Sequence, residues 1–257
     1  MKTKKASVLG CFLILLGTAI GAGILALPMT AASLHFPSAA MLLVALWFIS
    51  TISALYLVEV NVAMPGDYHH FSTMAKATLG RFGQAIIWVS CLLLLYSFTW
   101  AYFSGSGSLI STLIQTHTSF HPSSALCQIA FAIIFGGAVY WSTRAVDVLN
   151  RGLWSLKGLS IVVMFALLFP KIHWEQLIPP HVPFARHAIL LAAPIFVTAF
   201  GFHTVIPSLR GYLGPNVRKL RLVIITGTSV ALVCYLIWIA AVIGIIPATG
   251  PQSFASL

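Results

Sequence analysis

The stretch Gly17-Thr-Ala-Ile-Gly-Ala-Gly-Ile-Leu-Ala-Leu-Pro28 sets three glycines and a proline inside a long apolar run. Glycine in a helix interior costs about 1 kcal/mol relative to alanine, and it admits backbone conformations that other residues avoid. The run is therefore expected to be helical at its ends and unwound near Gly21 to Gly23. Two readings of these glycines stand side by side. Gly17 and Gly21, four apart, make a small-xxx-small face for close helix packing. Alternatively, unwound backbone at membrane depth lines a cavity, the setting in which it is tolerated. Its freed N–H groups and the N-terminus of the following half-helix then suit a carboxylate.

Working outward, the whole chain is of one character. Of its 257 residues 59% are apolar and only 7% charged, and the mean hydropathy is +0.98. A soluble domain carries about 25% charged residues, so a cytosolic enzyme or a secreted domain is excluded and an all-α polytopic membrane protein is expected, with lipid as its surroundings. Segments 8–34, 38–64, 85–110, 125–142, 153–170, 188–210 and 222–246 each meet or approach the roughly 20 apolar residues a span requires. Met1-Lys-Thr-Lys-Lys5 before the first run imitates a signal peptide. Six further spans follow, so the run is a first transmembrane helix.

The formal charge of +10 would suggest nucleic acid in a soluble chain. Here the basic residues fall in connectors and read as an orientation signal. With the N-terminus inside, the cytoplasmic side holds Lys2, Lys4, Lys5, Lys76, Arg81, Arg144, Arg151, Lys157, Arg210, Arg218, Lys219 and Arg221, and the other side holds Lys171 and Arg186. No nucleic-acid partner is expected. Cys11, Cys91, Cys127 and Cys234 lie in apolar stretches without paired spacing and read as small buried hydrophobes. His117 and His121 are four apart with no third ligand, so neither a metal nor a cofactor is expected.

The sixth span repeats the anomaly of the first. Pro194-Ile-Phe-Val-Thr-Ala-Phe200-Gly201-Phe202-His203-Thr-Val-Ile-Pro207-Ser208 puts glycine, proline and histidine in the hydrocarbon zone, where polar groups are costly unless they serve a function. The two interruptions are five spans apart, so they cross the membrane in opposite directions. That is the trace expected of inverted five-span repeats with a midplane binding site.

These residues carry a resemblance. Gly17 to Pro28, Tyr96 to Gly107 (YSFTWAYFSGSG), Val146 to Arg151 (VDVLNR), Ala199 to Ser208 (AFGFHTVIPS) and Asn216 to Arg221 (NVRKLR) are similar, in order, to the bacterial hydroxy/aromatic amino-acid permease family. The resemblance implies a leucine-transporter-like inverted-repeat fold of five-plus-five spans and one further helix. Residues 1–257 then form a single transmembrane domain, with 8–170 as the first repeat and 188–246 as the first two spans of the second. The eighth and later spans of that pattern are not in this sequence, and the fold reads as truncated after the seventh span.

The family implies proton-driven uptake of an aromatic amino acid, tyrosine by expectation, across the bacterial inner membrane by alternating access. By the logic of that fold, Thr18, Ile20, Gly21, Ala22 and Gly23 surround the substrate carboxylate, and carbonyls near Phe200, Gly201, Phe202 and His203 receive the ammonium. Phe200 and Phe202 offer ring faces to an aromatic side chain, or else pack against lipid and helices. In the third span Tyr96 and Thr99 are three apart, and their hydroxyls need a partner; substrate and interhelical hydrogen bonding are both open. Glu59 and His203 are the intramembrane titratable groups and the proton-carrier candidates. Glu59, towards the cytoplasmic end, can equally pair helices, and His203 can equally cap freed carbonyls.

Other classes fare worse. Four acidic residues and no nucleophile, zinc or phosphate motif argue against an enzyme. A seven-helix retinal protein needs a lysine in the seventh span, and 222–246 has none. No ring-forming filter marks a channel. The serious alternative to uptake is a non-transporting remnant, or a fragment that needs a separate C-terminal half, because alternating access requires one rigid body to move against another. The expectation is that this chain alone does not transport.

The charge pattern sets the topology test. Reporter fusions at Gly66, His121, Asn150, Glu175 and Pro215 should alternate inside, outside, inside, outside, inside; two successive sites on one side would contradict seven spans.

Overall fold

A computed structural model of the chain describes residues 7–21, 23–64, 70–141, 143–177 and 186–245. Helices make up nearly all of it, and no strand occurs among the described residues. In order they are α1 (Val8–Ala19), α2 (Gly23–Ala32), α3 (His35–Ala63), α4 (Phe71–His117), α5 (Ser124–Trp141), α6 (Thr143–Leu168), α7 (Arg186–Ala199), α8 (Ile206–Leu213) and α9 (Val217–Ile245), with short 3-10 turns at Phe169–Lys171, Trp174–Gln176 and Phe202–Val205. Among the described residues five stretches are long and apolar enough to cross a membrane: His35–Ala63, Phe71–His117, Gly152–Lys171, His187–Leu213 and Val217–Ile245. Val8–Ala19 and Ser124–Tyr140 are shorter apolar helices.

The two expected interruptions are present. The first apolar run divides into α1 and α2 around Gly21, and the sixth divides into α7 and α8 through the 3-10 turn that follows Gly201. Other boundaries differ from the sequence reading. Helix α4 starts at Phe71 rather than near 85 and turns sharply at Gly80, whose φ of 73° is open to glycine at little cost. Helix α6 starts at Thr143, ten residues before the apolar run. A helix satisfies its own backbone whatever its side chains, so it continues beyond the hydrocarbon until a capping or breaking residue stops it. Hydropathy marks only the part that must be greasy.

The chain divides into two compact units, one of residues 1–80 and 162–257, the other of 81–161. This division cuts across the 8–170 and 188–246 repeat boundaries. In the first unit α9 packs against α1, α2 and α3, and α2 packs against α7. Leu15, Leu27, Leu43, Phe196, Leu209, Ile224 and Ile239 are fully buried there. Gly227 of α9 faces Leu15: a Cβ at that glycine would come within 2.6 Å of the leucine.

Directions within this unit follow from side-chain pairs. Leu15 meets Gly227 and Ile24 meets Trp238, so α1 and α2 run with α9. Trp47 Nε1 donates to Thr228 Oγ1 at 3.2 Å, and Arg221 Nη2 lies 2.5 Å from Glu59 Oε1, so α3 runs against α9. His203 meets Ser50 and Arg210 meets Met64, so the chain from the second break through α8 runs with α3. The two broken helices therefore run antiparallel. Arg210, tallied among cytoplasmic charges, is 95% buried and donates to the Met64 carbonyl at 3.3 Å. The Arg221–Glu59 pair is half-exposed and adds little stability by itself.

The second unit contains the apolar part of α4, α5 and the start of α6. Its α4–α5 contact is close. A Cβ on Gly107 would fall 2.2 Å from Gln128 Cγ and 2.9 Å from the Ser124 carbonyl oxygen. Phe103 meets Phe131 edge-on at 5.8 Å, and Phe131 meets Phe135 at 4.4 Å. Ser111 Oγ donates to the Pro122 carbonyl at 2.8 Å, tying the turn. Most other large side chains face outward, Trp100 at 78% and Tyr140 at 94% exposure among them, as helices bathed in lipid require.

Two alanine substitutions two residues apart test this packing. Gly107→Ala should destabilise the folded chain by about 1–3 kcal/mol through overpacking. Gly105→Ala, which meets nothing within 4 Å, should be neutral or stabilising by up to about 1 kcal/mol. Detergent-solubilised thermal unfolding of both variants decides it, and equal shifts would contradict the close contact.

Candidate functional site

The candidate site is built from backbone before side chains. At the end of α1 the Ile20 N–H returns to the Leu16 carbonyl at 2.8 Å, and the Gly21 N–H turns to the Ala19 carbonyl at 2.8 Å. In an unbroken helix the Ala19 carbonyl would accept from residue 23. Here Gly23 instead opens α2, whose first amides have no acceptor within their own helix. At the second break the Phe200 N–H reaches Val197 at 3.0 Å and the Gly201 N–H reaches Thr198 at 3.1 Å. These tightened bonds end α7 and take the Ala199 carbonyl out of the helical ladder.

Pro28 creates a third vacancy of the same kind. It sits within α2 and has no N–H, so the carbonyl four residues earlier, that of Ile24, loses its helical donor. Carbonyls left so in hydrocarbon cost several kcal/mol each.

Side chains of one helix reach all three carbonyls. Tyr235 and Trp238 are three apart on α9 and so share a face. The Tyr235 hydroxyl donates to the Ala19 carbonyl and also lies 3.1 Å from the Ala199 carbonyl. Trp238 Nε1 donates to the Ile24 carbonyl at 2.5 Å. Tyr235 is 99% buried, and its ring meets Phe200 edge-on at 5.9 Å and 89°. The glycine at 23 is required by contact. A Cβ there would sit 2.6 Å from Ala199 Cβ and 2.9 Å from the Tyr235 hydroxyl oxygen. Neither Tyr235 nor Trp238 was indicated by sequence, because both lie in an apolar span with no local irregularity.

The sequence-predicted residues fall into three groups. Ile20, Gly21, Gly23, Phe200, Gly201, Phe202 and His203 cluster at the two breaks. Ile20, Gly23, Phe200 and Phe202 are buried, and the other three are half-buried. The Phe202 ring stacks on His203 at 4.8 Å and 17°, and His203 Nε2 lies 3.1 Å from the Ser50 carbonyl on α3. Both phenylalanine rings are thus engaged by protein. Thr18 is exposed, with its hydroxyl returned to the Ile14 carbonyl at 2.9 Å. Ala22 lies outside the described residues.

Tyr96 and Thr99 belong to the second unit. Tyr96 is 72% exposed, and the Thr99 hydroxyl donates to its own helix at Leu95, 2.8 Å away. Glu59 stands apart from the breaks, in its pair with Arg221.

The arrangement brings unlike helix ends together. The C-termini of α1 and α7 carry partial negative charge and the N-terminus of α2 partial positive charge. A zwitterion of amino-acid size meets both needs, its ammonium facing carbonyls and its carboxylate facing amides.

The sequence matches the tryptophan/tyrosine permease family over residues 4–254. The tyrosine-specific transport system 1 of Haemophilus influenzae is 36% identical over 229 residues, which are 89% of this chain and 56% of that protein. Tyrosine-specific transport system 2 of the same organism is 35% identical, over 94% of this chain and 59% of that protein. The tryptophan-specific transport protein of Pseudomonas aeruginosa is 31% identical, over 95% of this chain and 59% of its own length. The chain thus spans less than two thirds of the length of these curated relatives. No solved structure matches it.

The role of α9 at the first break is testable at Trp238. Trp238→Phe keeps an aromatic ring but removes the donor to Ile24 along with part of the indole, and should cost about 1–3 kcal/mol of stability. Trp88→Phe, at an exposed position, should shift the unfolding midpoint little. Equal midpoints for the two variants would contradict the assignment.

Proposed function

This chain belongs to the tryptophan/tyrosine permease family, a family of transporters and not of enzymes, and on that premise we propose that its paired helix breaks bind an aromatic amino acid for uptake across the bacterial inner membrane. The observation that carries the proposal is the meeting of two antiparallel broken helices at one point, with the carbonyl ends of α1 and α7 on the same tyrosine. Unlike helix ends at such a point suit a zwitterion rather than a sugar or a metal ion. Within a multi-pass membrane protein this supports alternating access in a leucine-transporter-like inverted-repeat fold.

In this reading the amides following Gly21, with Thr18, Ile20, Ala22 and Gly23 around them, receive the carboxylate. Carbonyls between Phe200 and His203 receive the ammonium, and the rings of Phe200 and Phe202 border the substrate side chain after a rotamer change. Tyr96 and Thr99 join the site from the third span. Tyrosine is the expected substrate, since two of the compared relatives are named for tyrosine; tryptophan is the competitor, from the third. Coupling to protons is assigned to His203, beside the second break, or to Glu59. The N-terminus is placed in the cytoplasm by the bias of basic residues.

A second reading follows from length. The chain covers 56% and 59% of the two tyrosine-specific relatives, and alternating access needs a scaffold for the broken helices to move against. This chain then carries the site, and transport needs spans supplied by a separate C-terminal half.

Binding and accumulation separate the readings. The purified chain should bind labelled tyrosine, displaced by tryptophan and phenylalanine but not by alanine or lysine; absence of such binding would contradict both. In proteoliposomes with an inward proton gradient, accumulation abolished by a protonophore supports uptake by the chain itself, and binding without accumulation supports the second reading. Accumulation that requires sodium and ignores the protonophore would overturn proton coupling.

A further inference from the structure

The Tyr235 hydroxyl has one proton and stands between two carbonyls that belong to different broken helices. One is Ala19, the last residue of α1, and the other is Ala199, the last residue of α7. The phenol is held from three directions. Phe200 packs edge-on to its ring, Gly23 leaves room beside the oxygen that a Cβ would take, and the ring is sealed from solvent. The residue reaches 216 positions along the chain to Ala19 and 36 to Ala199. No other described side chain donates to both breaks.

We propose that Tyr235 is a positioning residue for the amino-acid site: its hydroxyl ties the C-terminal end of α1 to the C-terminal end of α7 and so sets the spacing of the two breaks. This rests on the reading of those breaks as the binding site. Two like-charged helix ends repel; the Ala19 carbonyl accepts from the Gly21 N–H, and the Ala199 carbonyl, out of the helical ladder, needs a polar neighbour in a medium without water. The hydroxyl gives its one proton to the Ala19 carbonyl and holds the Ala199 carbonyl 3.1 Å away on its other side, so that a single group touches both ends. Loss of the hydroxyl removes the link while leaving the ring in its pocket, so the helix ends drift apart and the amides and carbonyls that would meet the ligand lose their common geometry. Trp238, one turn further on, anchors the start of α2 separately; the spacing between α1 and α7 is therefore specific to Tyr235.

The test uses the whole chain in lipid nanodiscs, with the native cysteines replaced by alanine. Spin labels are introduced at Leu13 of α1 and Leu191 of α7, both exposed. Pulsed electron resonance reads the distance between them, and equilibrium binding of labelled tyrosine is measured on the same proteins. Tyr235→Phe should broaden or lengthen the distance distribution and raise Kd about tenfold, which corresponds to about 1.4 kcal/mol. Replacing Tyr235 with p-aminophenylalanine restores a donor at the same point and should return both readouts towards those of the parent chain. An unchanged distance distribution in Tyr235→Phe overturns the bridge, with or without ligand binding. A raised Kd without a distance change also overturns it, and would make the hydroxyl a direct ligand contact. If Tyr235→Phe does not fold, recovery of folding and binding by the p-amino chain supports the bridge, and failure of both variants overturns it. Absence of tyrosine binding in the parent chain overturns the site reading, and the distance measurement then still decides the link.

Discussion

A backbone carbonyl in hydrocarbon must have a donor, and where a helix breaks the donor must come from elsewhere. Everything distinctive about this chain follows from that constraint. Two spans are interrupted, and a proline removes a further amide from the first. The carbonyls of Ala19, Ile24 and Ala199 are met by two residues of α9, Tyr235 and Trp238. Helix α9 is thus the support on which both irregular segments rest, and its long contact with α1, α2 and α3 is the packing that holds its donors in register.

Packing and polarity are coupled at one residue. Gly23 opens α2, and its missing Cβ lets α7 approach so closely that Ala199 and the Tyr235 hydroxyl lie against the bare backbone. Unwinding falls at Gly21 and close packing at Gly23, a residue outside the Gly17–Gly21 pair that the spacing singled out. Gly21 turns back to Ala19 as the helix ends, and Gly23 lets the partner helix come near. On the other side of the break His203 is tied to α3 at Ser50, so the second irregular segment is fixed by α3 as well as by α9.

Much of this was legible in the sequence for a physical reason. Apolar length reports what must lie in hydrocarbon, and glycine and proline within such lengths report where the helix yields. The breaks near Gly21 and Gly201, and the clustering of Ile20, Gly23, Phe200, Phe202 and His203, come from those signals. What was not legible depends on three-dimensional partners. Tyr235 looks like any aromatic in the evenly apolar run 222–246, and its importance lies in carbonyls distant along the chain. Charge counting placed Arg210 on the cytoplasmic side but gave no sign of its burial, which comes from the fold of α8 against the Met64 carbonyl. Helix α6 begins at Thr143 because backbone hydrogen bonding does not end where hydropathy does. Thr18 and Thr99 return their hydroxyls to their own helices, an outlet open to any threonine in a helix.

The central claim is that the two breaks, held together by α9, form one amino-acid site. Photolabelling tests it most directly. An azido-substituted aromatic amino acid bound to the chain, then irradiated and mapped by mass spectrometry, should mark both the segment around Gly21 to Ile24 and the segment around Phe200 to His203, and unlabelled tyrosine should suppress both. Saturable labelling confined to residues 81–161, or to one break without the other, would contradict it.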